Sequence, residues 1–426
     1  MVKFSPQTCK GQKMFKRNLQ KKLEKALTRS PVVLLTGPRQ SGKTTLMKEI
    51  SKIRGYSYVT FDDINFLSAA KNDPMGFIAG LNKPVLLDEV QRVPELFLAI
   101  KHDVDENRTP GRYALTGSAN PLLIPRLGDS LAGRMEIFDL FPLSQGELSN
   151  SHENFIDIVF SKQIPLPAQT LSRADLYKKI AIGGYPPVQG FDFADRESWF
   201  NSYVTTLLQR DIQDLSQITG FAEFPRLLNL LATRTSSLLN VSELARTSGI
   251  AGSTLNRYLI LLETIFLIKF HSAWSSNLGK RLVRSSKITF IDTGLLLFSL
   301  GVDLEKLPLD NIISGPVLEN FVISELDKQL TWNQVRAKLY HARTTTGIEV
   351  DIILEDAAGN LVGIEVKNSS TIGANDFKGL KFLQESAGRK FVQGIVLYTG
   401  SQHVPFAAKL SALPINVLWN IKKISK

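Results

Sequence analysis

The chain has 426 residues, 43% of them hydrophobic and 21% charged, an ordinary globular balance with room for two or three domains. Its one cysteine, Cys9, excludes an internal disulfide, and no apolar run reaches the roughly 18 residues of a membrane span, so a cytoplasmic protein is expected. The formal net charge of +11 favours anionic partners without marking a site for them.

Residues 14–30 have the spacing of a short amphipathic helix. The apolar run Pro31 to Thr36 then reads as a buried strand, followed by Gly37, Pro38, Arg39, Gln40, Ser41, Gly42, Lys43 and Thr44, with Thr45 continuing into a helix that begins near Lys43. This is the GxxxxGK[ST] phosphate loop in its required strand–loop–helix context. The glycines let successive N–H groups turn towards phosphate oxygens, and the helix N-terminus adds its positive end. Lys43 is the residue to reach the β- and γ-phosphates, and Thr44 the one to bind Mg²⁺. A bound nucleoside triphosphate with Mg²⁺ is the expectation.

Pro84 to Leu87 form a second short strand ending in Asp88 and Glu89. Beside a phosphate loop, Asp88 belongs in the Mg²⁺ shell, and Glu89 can orient or deprotonate the attacking water. The paired acids, with no Asn-Lys-x-Asp motif, favour an ATPase over a GTPase switch. A third strand, Arg112 to Ser118, is expected between these two, with Thr116, Ser118 and Asn120 competing to sense the γ-phosphate. Arg134 and Arg210 are candidates for a positive charge aimed at that phosphate, from this subunit or a neighbouring one.

The strand–helix alternation predicts a parallel sheet over residues 14–150, and residues 149–170 have the composition of a linker. A helical lid or linker domain is expected over 171–240, interrupted at Gly183 to Pro187. In 241–300, Leu244, Ala245, Ile250, Leu255 and Leu259 fall on one side of two short helices, the pattern of a helix-turn-helix. Phe266 to Phe270 would begin a wing. The second helix would present Ser253, Thr254, Asn256 and Arg257 to double-stranded DNA, and the basic stretch 277–287 would reach phosphates.

The last region, 310–426, carries Asp351 and, on an adjacent expected strand, Glu365 and Lys367. Alternation along a strand puts Glu365 and Lys367 on one face. Two carboxylates there can bind Mg²⁺ or Mn²⁺, and a lysine can stabilise a pentavalent phosphate. Glu319, on a preceding helix, is the third candidate ligand.

The ordered series LLTGPRQSGKTTL, VLLDEVQRVPEL, YALTGSAN, LAGRMEIFDLFPLS, GGYPPV, LLQRDI, FIDTGLL, ENFVISEL, EVDIIL and GIEVKNS resembles a family of prokaryotic AAA-superfamily ATPases with a C-terminal domain of unknown function. The resemblance covers nearly the whole chain. It implies an α/β protein: a P-loop sheet with a helical lid, a winged-helix segment and a restriction-endonuclease-like α/β domain. Asp351 and Glu365-x-Lys367 match the D…ExK pattern of such folds, with Val350 where a proline often stands. The function expected is Mg²⁺-dependent ATP hydrolysis that controls a C-terminal DNA- or partner-binding module. The rivals are an ATP-gated metal-dependent nuclease and a non-hydrolysing, nucleotide-ordered scaffold; the oligomeric state is left open.

Overall fold

The computed structural model describes residues 15–120, 131–215, 223–275, 285–303, 313–344 and 346–422, without the side chains of 211–215. Strands β1 (Val32–Thr36), β2 (Ser57–Thr60), β3 (Val85–Asp88), β4 (Tyr113–Thr116) and β5 (Met135–Asp139) form a parallel sheet in the order β2-β3-β4-β1-β5. β4 therefore lies between β1 and β3, as expected for an additional-strand ATPase sheet.

The three inner strands bury every side chain because helices cover both faces of the sheet. Alternate residues divide between the two layers. Leu34, Leu87 and Leu115 meet Phe97 and Ile100 of the Leu96–Glu106 helix, whereas Leu35, Leu86 and Ala114 meet Leu46, Met47 and Ile50 of the Lys43–Arg54 helix. The loop that follows β1 is thus anchored from both sides at the C-terminal edge of the sheet.

Three helices, Arg173–Ile182, Phe193–Leu215 and Glu223–Ala232, occupy the expected helical region. Two shorter ones follow, Val241–Ser248 and Gly252–Thr264, the first opened by the Asn240 side chain and closed by left-handed Gly249. Leu244, Ile250, Leu255 and Leu259 are buried between them and Ala245 is half-buried. An antiparallel ribbon of β6 (Ile268–His271) and β7 (Lys287–Phe290) comes next, so the expected strand is two residues later than its sequence boundary.

The C-terminal region begins with the Ser314–Trp332 helix. Strands β8 (Ala337–Arg343), β9 (Glu349–Asp356) and β10 (Leu361–Lys367) form an antiparallel meander. The Lys378–Ala387 helix then returns the chain to β11 (Phe391–Tyr398), parallel to β10. With β12 (Val404–Ala407) and β13 (Leu410–Pro414) the sheet order is β12-β13-β11-β10-β9-β8.

The expected boundaries at 240 and 300 do not separate independent cores. One apolar cluster runs from Phe155 through Leu228, Leu262 and Phe290 to Val322, Ile364 and Trp419. The Ser314–Trp332 helix causes this, since it packs against β7 and the Thr293–Leu300 helix as well as the C-terminal sheet. Its Asn320 amide completes β7 like another strand, accepting from the Phe290 N–H at 2.8 Å and donating to the Phe290 carbonyl at 2.9 Å. Among the described residues, no helix is long and apolar enough to cross a membrane.

The ribbon buries His271, whose Nε2 lies 2.9 Å from Thr289 Oγ1 and 3.5 Å from Asp327. Burial, against the opposing pull of Asp327, pushes the imidazole down to about 4 from an ordinary 6.5. As the pH falls, the unfolded chain therefore binds this proton before the folded one does. Stability from His271 is complete above pH 6.5 and is lost towards pH 4, at up to ~1.4 kcal/mol per pH unit. Urea unfolding at pH 7, 6 and 5 is expected to show a shallower decline for His271→Gln than for the wild type; matching profiles would clear His271 of the effect.

Candidate functional site

The phosphate loop needs its first glycine for space as well as for backbone freedom. Gly37 has φ +142°, and a Cβ there would lie 2.3 Å from the Leu140 carbonyl oxygen. The loop ends where Lys43 opens its helix, and Lys43 Nζ turns back onto the carbonyls of Gly37 at 2.9 Å and Pro38 at 2.8 Å. A cleft of about 1100 Å³ opens beside it, bounded by Arg39 to Thr45, Asp62 and Glu89 and, from the helical region, Lys179 and Pro186. Thr45 is exposed, whereas Gly37, Pro38, Ser41 and Lys43 are buried.

Asp88 ends β3 within reach of the loop. It accepts from Thr44 Oγ1 at 3.0 Å, from Tyr58 Oη at 2.9 Å and from Thr116 Oγ1. Three hydroxyls thus converge on one buried carboxylate, holding its oxygens beside the phosphate loop. Partial burial and the adjacent Asp88 charge push the Tyr58 phenol up to about 12, so it remains a donor at neutral pH. Nothing in the sequence marked Tyr58, because the contact exists only once β2 pairs with β3.

Glu89 is aimed differently. Its backbone is left-handed, with φ 60°, and its carboxylate accepts from Ser118 Oγ at 3.1 Å and from the Gln91 side chain. Gln91 also donates to Ser118 at 2.8 Å, closing a polar triangle. Of the three rivals on the third strand, Thr116 therefore serves Asp88 and Ser118 serves Glu89. Asn120 uses its main chain to bond the Thr264 carbonyl at 2.8 Å.

The arginines separate clearly. Arg210 pairs at 2.7 Å with Asp62, on the rim of the cleft. Arg134 precedes β5, its carbonyl accepts from Val32 N–H, and its guanidinium pairs with Asp105. That is the end of the sheet opposite the phosphate loop, about 16 Å away along a five-residue strand. Within one chain Arg134 therefore does not reach the phosphate loop, which corrects the expected role within this subunit alone and leaves the one from a neighbouring subunit.

Arg17, by contrast, carried no sequence signal. Its guanidinium donates to the Ser41 carbonyl at 2.6 Å, the Phe141 carbonyl at 2.7 Å and Glu147 at 3.1 Å. Tyr203 from the helical region donates to the Arg39 carbonyl at 3.3 Å. Both hold the outer curve of the loop by its main chain.

In the C-terminal region the carboxylates do approach one another. Asp351 Oδ2 accepts from the Val366 N–H at 2.9 Å, and Lys367 Nζ bonds Glu365 Oε2 at 2.8 Å. Burial first, then the Asp351 charge, push both Glu319 and Glu365 up to about 8. Yet among the described residues no three Asp, Glu, His or Cys side chains stand close enough to share a metal ion. The expected ligand set Glu319, Asp351 and Glu365 is therefore not assembled in this conformation.

Lys287 requires a further correction. The sequence placed it in a solvated basic stretch facing DNA, but it is fully buried on β7, with Nζ 2.5 Å from Glu319. Every residue of β7 is buried, Lys287 on the same face as Thr289, and burial of the whole strand outweighs local charge when a carboxylate is waiting inside. Lys280, Arg281 and Arg284 lie outside the described residues. On the Gly252–Thr264 helix Ser253, Asn256 and Arg257 are exposed and Thr254 is half-buried.

Replacing Arg17 by Ala would leave Glu147, 1% exposed, without its cation, and the Ser41 carbonyl without its donor. The expected loss is about 3 kcal/mol of stability in urea unfolding, with weaker nucleotide binding in the folded variant.

Family comparisons fall along these same structural units. A model described as an AAA domain matches residues 29–149. Two described as domains of unknown function, DUF8612 and DUF4143, match residues 173–306 and 314–418. The chain is 33% identical over 404 residues to uncharacterized protein Rv2008c of Mycobacterium tuberculosis (strain ATCC 25618 / H37Rv), a match spanning 94% of this chain and 83% of that one. Uncharacterized protein Mb2031c of Mycobacterium bovis (strain ATCC BAA-935 / AF2122/97) matches with the same figures. Among solved structures, the Walker-type ATPase PABY2304 of Pyrococcus abyssi is similar at 14% identity and a TM-score of 0.42, covering 67% of this chain and 96% of that one. The chain belongs to the family in which an AAA P-loop domain is followed by DUF8612 and DUF4143 domains, the family of these mycobacterial proteins.

Proposed function

We propose that the chain is a Mg²⁺-dependent ATPase whose nucleotide state governs how its C-terminal half engages double-stranded DNA or a protein partner. The observation that carries this reading is the division of labour at the end of β3. Asp88 is gathered with Thr44, while Glu89 is turned towards Ser118 and Gln91. This arrangement supports a role for Asp88 in holding a cation and for Glu89 in handling water.

The residues fit Mg²⁺ as a hydroxyl and a carboxylate, hard oxygen donors beside a phosphate-binding loop. Bound there with ATP, the ion would neutralise charge on the β- and γ-phosphates. Lys43 would exchange the carbonyls of Gly37 and Pro38 for phosphate oxygens, a stronger charge-assisted contact. Loop N–H groups from Arg39 to Thr45 would cradle the phosphates. Glu89 would accept the proton of the attacking water, with Ser118 and Gln91 holding its orientation. Arg210, already at the rim on Asp62, is the better candidate for a charge on the γ-phosphate.

For DNA, the support is the exposed start of the Gly252–Thr264 helix, the following ribbon and the net charge of +11, which together suit a winged helix. A second reading, a metal-dependent nuclease on an endonuclease-like fold, is favoured by the D…ExK pattern, with Asp351 and Glu365 on paired strands and Lys367 bonded to Glu365. The helix–meander–helix–parallel-strand succession supports that fold.

ATP turnover is the deciding measurement. Glu89→Gln is expected to lower turnover by about 10²-fold or more while ATP still binds, and Lys43→Ala to abolish binding. Bound ATP without turnover in the wild type, with or without duplex DNA, would leave a nucleotide-ordered scaffold instead. Arg257→Glu is expected to weaken duplex binding and reduce its salt dependence; unchanged binding would exclude that helix as the contact. Cleavage of DNA with Mn²⁺, lost in Asp351→Asn, would establish the second reading.

A further inference from the structure

The cleft beside the phosphate loop has two unlike walls. One is the loop itself, whose backbone and Lys43 suit phosphates. The other is a turn of the helical region, which brings Pro186, Pro187, Gln189 and Phe191 to the cleft, with Phe15 and Leu148 adding apolar surface. Pyrrolidine and phenyl faces suit a flat aromatic base rather than a phosphate. A nucleotide anchored at Lys43 therefore has this second wall on which to place its base.

The turn is held firmly from behind. The Gly184 N–H donates to the buried Asp292 carboxylate at 2.6 Å, and the Gly184 carbonyl accepts from the Leu143 N–H at 2.7 Å. A Cβ at Gly183 would strike the Asp292 carboxylate, and one at Gly184 the Leu143 carbonyl. The Tyr185 hydroxyl lies 3.1 Å from that of Tyr203, which in turn donates to the Arg39 carbonyl. The wall is thus tied to the phosphate loop, and a base must fit the wall as it stands.

Gln189 gives the wall its polarity. Its side-chain nitrogen donates to the Gly183 carbonyl at 3.1 Å and to the Tyr185 carbonyl at 3.0 Å. A primary amide carries two N–H donors and one acceptor oxygen. Both donors are committed to the turn, so what Gln189 has to offer the cleft is its oxygen. Turning the amide over would set that oxygen against the same two carbonyls. The orientation is locked by chemistry.

We propose that Gln189 determines which base the site takes. Its oxygen accepts a hydrogen bond from the 6-amino group of adenine. A 6-keto purine presents an oxygen at the same place, and Gln189 cannot answer it without giving up both bonds to the turn. The keto base is therefore rejected by an unpaired acceptor on each side. This rests on the reading of the cleft as a nucleoside triphosphate site, and it adds the residue that selects a 6-amino purine.

The test is calorimetric titration of the full-length protein with the β,γ-imido analogues of ATP, ITP and GTP in the presence of Mg²⁺. The wild type is expected to bind the ATP analogue about tenfold or more tightly than either 6-keto analogue. In Gln189→Met that ratio is expected to fall close to one. The substitution also loosens the turn, so the ratio between nucleotides is read rather than the affinity itself. Should Gln189→Met not fold, Gln189→Asn, which draws the amide back by one methylene, is expected to lose the ratio in the same way. A preference for ATP that persists in the folded variant would overturn the role of Gln189 and leave the nucleotide site intact. Equal binding of all three by the wild type would do the same. ITP bound like ATP, with GTP alone rejected, would place the discrimination at the 2-amino group and overturn the proposal. Absence of binding by all three would overturn the nucleotide site and the base selection together.

Discussion

A pair of ions with almost no access to water ties the two halves of the chain together. Glu325 and Lys328, one turn apart on the Ser314–Trp332 helix, bond each other at 2.7 Å. Their remaining capacity is met by the other half: Gln145 N–H donates to Glu325 at 2.8 Å, and Lys328 donates to the Leu143 carbonyl at 3.1 Å. Burial works to lower the Lys328 pKa, but the charges of Glu325 and Asp292 prevail and raise it. A buried pair of this kind survives only when its geometry and extra hydrogen bonds offset desolvation. Here the extra bonds come from residues just beyond β5. Neither half satisfies this pair alone, so the AAA domain and the C-terminal region are structurally dependent on each other.

The same requirement extends to the nucleotide loop. Glu147, in the short Gln145–Ser149 helix, pairs with Arg17, and Arg17 carries the Ser41 carbonyl. Glu153 lies in this cluster too, accepting from Asn18 and Gly146, with burial and then Glu325 raising its pKa well above the ordinary range. A few buried polar groups therefore connect the phosphate loop to the helix bearing Glu319. On the other side of the cleft, Tyr203 and Arg210 bring the helical region onto Arg39 and Asp62. The loop is held from outside by its carbonyls, those of Arg39 and Ser41.

Much of the nucleotide site was legible because its chemistry is local. The spacing from Gly37 to Thr44 is the loop itself, and Asp88 and Glu89 follow a strand whose apolar residues announce it. The β4 position between β1 and β3 also followed from the order of motifs. Tyr58, Gln91 and Arg17 were not legible, since each acts across a contact that no sequence spacing encodes. Arg134, as a residue acting within its own subunit, misled for the complementary reason. It stands in an Ala-Gly-Arg-Met turn that looks functional, but strand direction carries it to the far end of the sheet.

By itself the sequence determined the phosphate loop, the acidic pair at the end of β3, the helix pair at 241–264 and the adjacent strands bearing Asp351 and Glu365. Each depends on residue type at short range: glycine where backbone must turn, apolar periodicity where a face is buried, carboxylates at strand ends. Tertiary structure alone decided which charges meet. It took Lys287 from an apparent solvent-facing run and set it against Glu319, because burying a strand forces its lysine to find an internal anion. It also joined regions that composition had separated, because the Ser314–Trp332 helix has polar groups to satisfy on both sides, and their partners lie more than a hundred residues away.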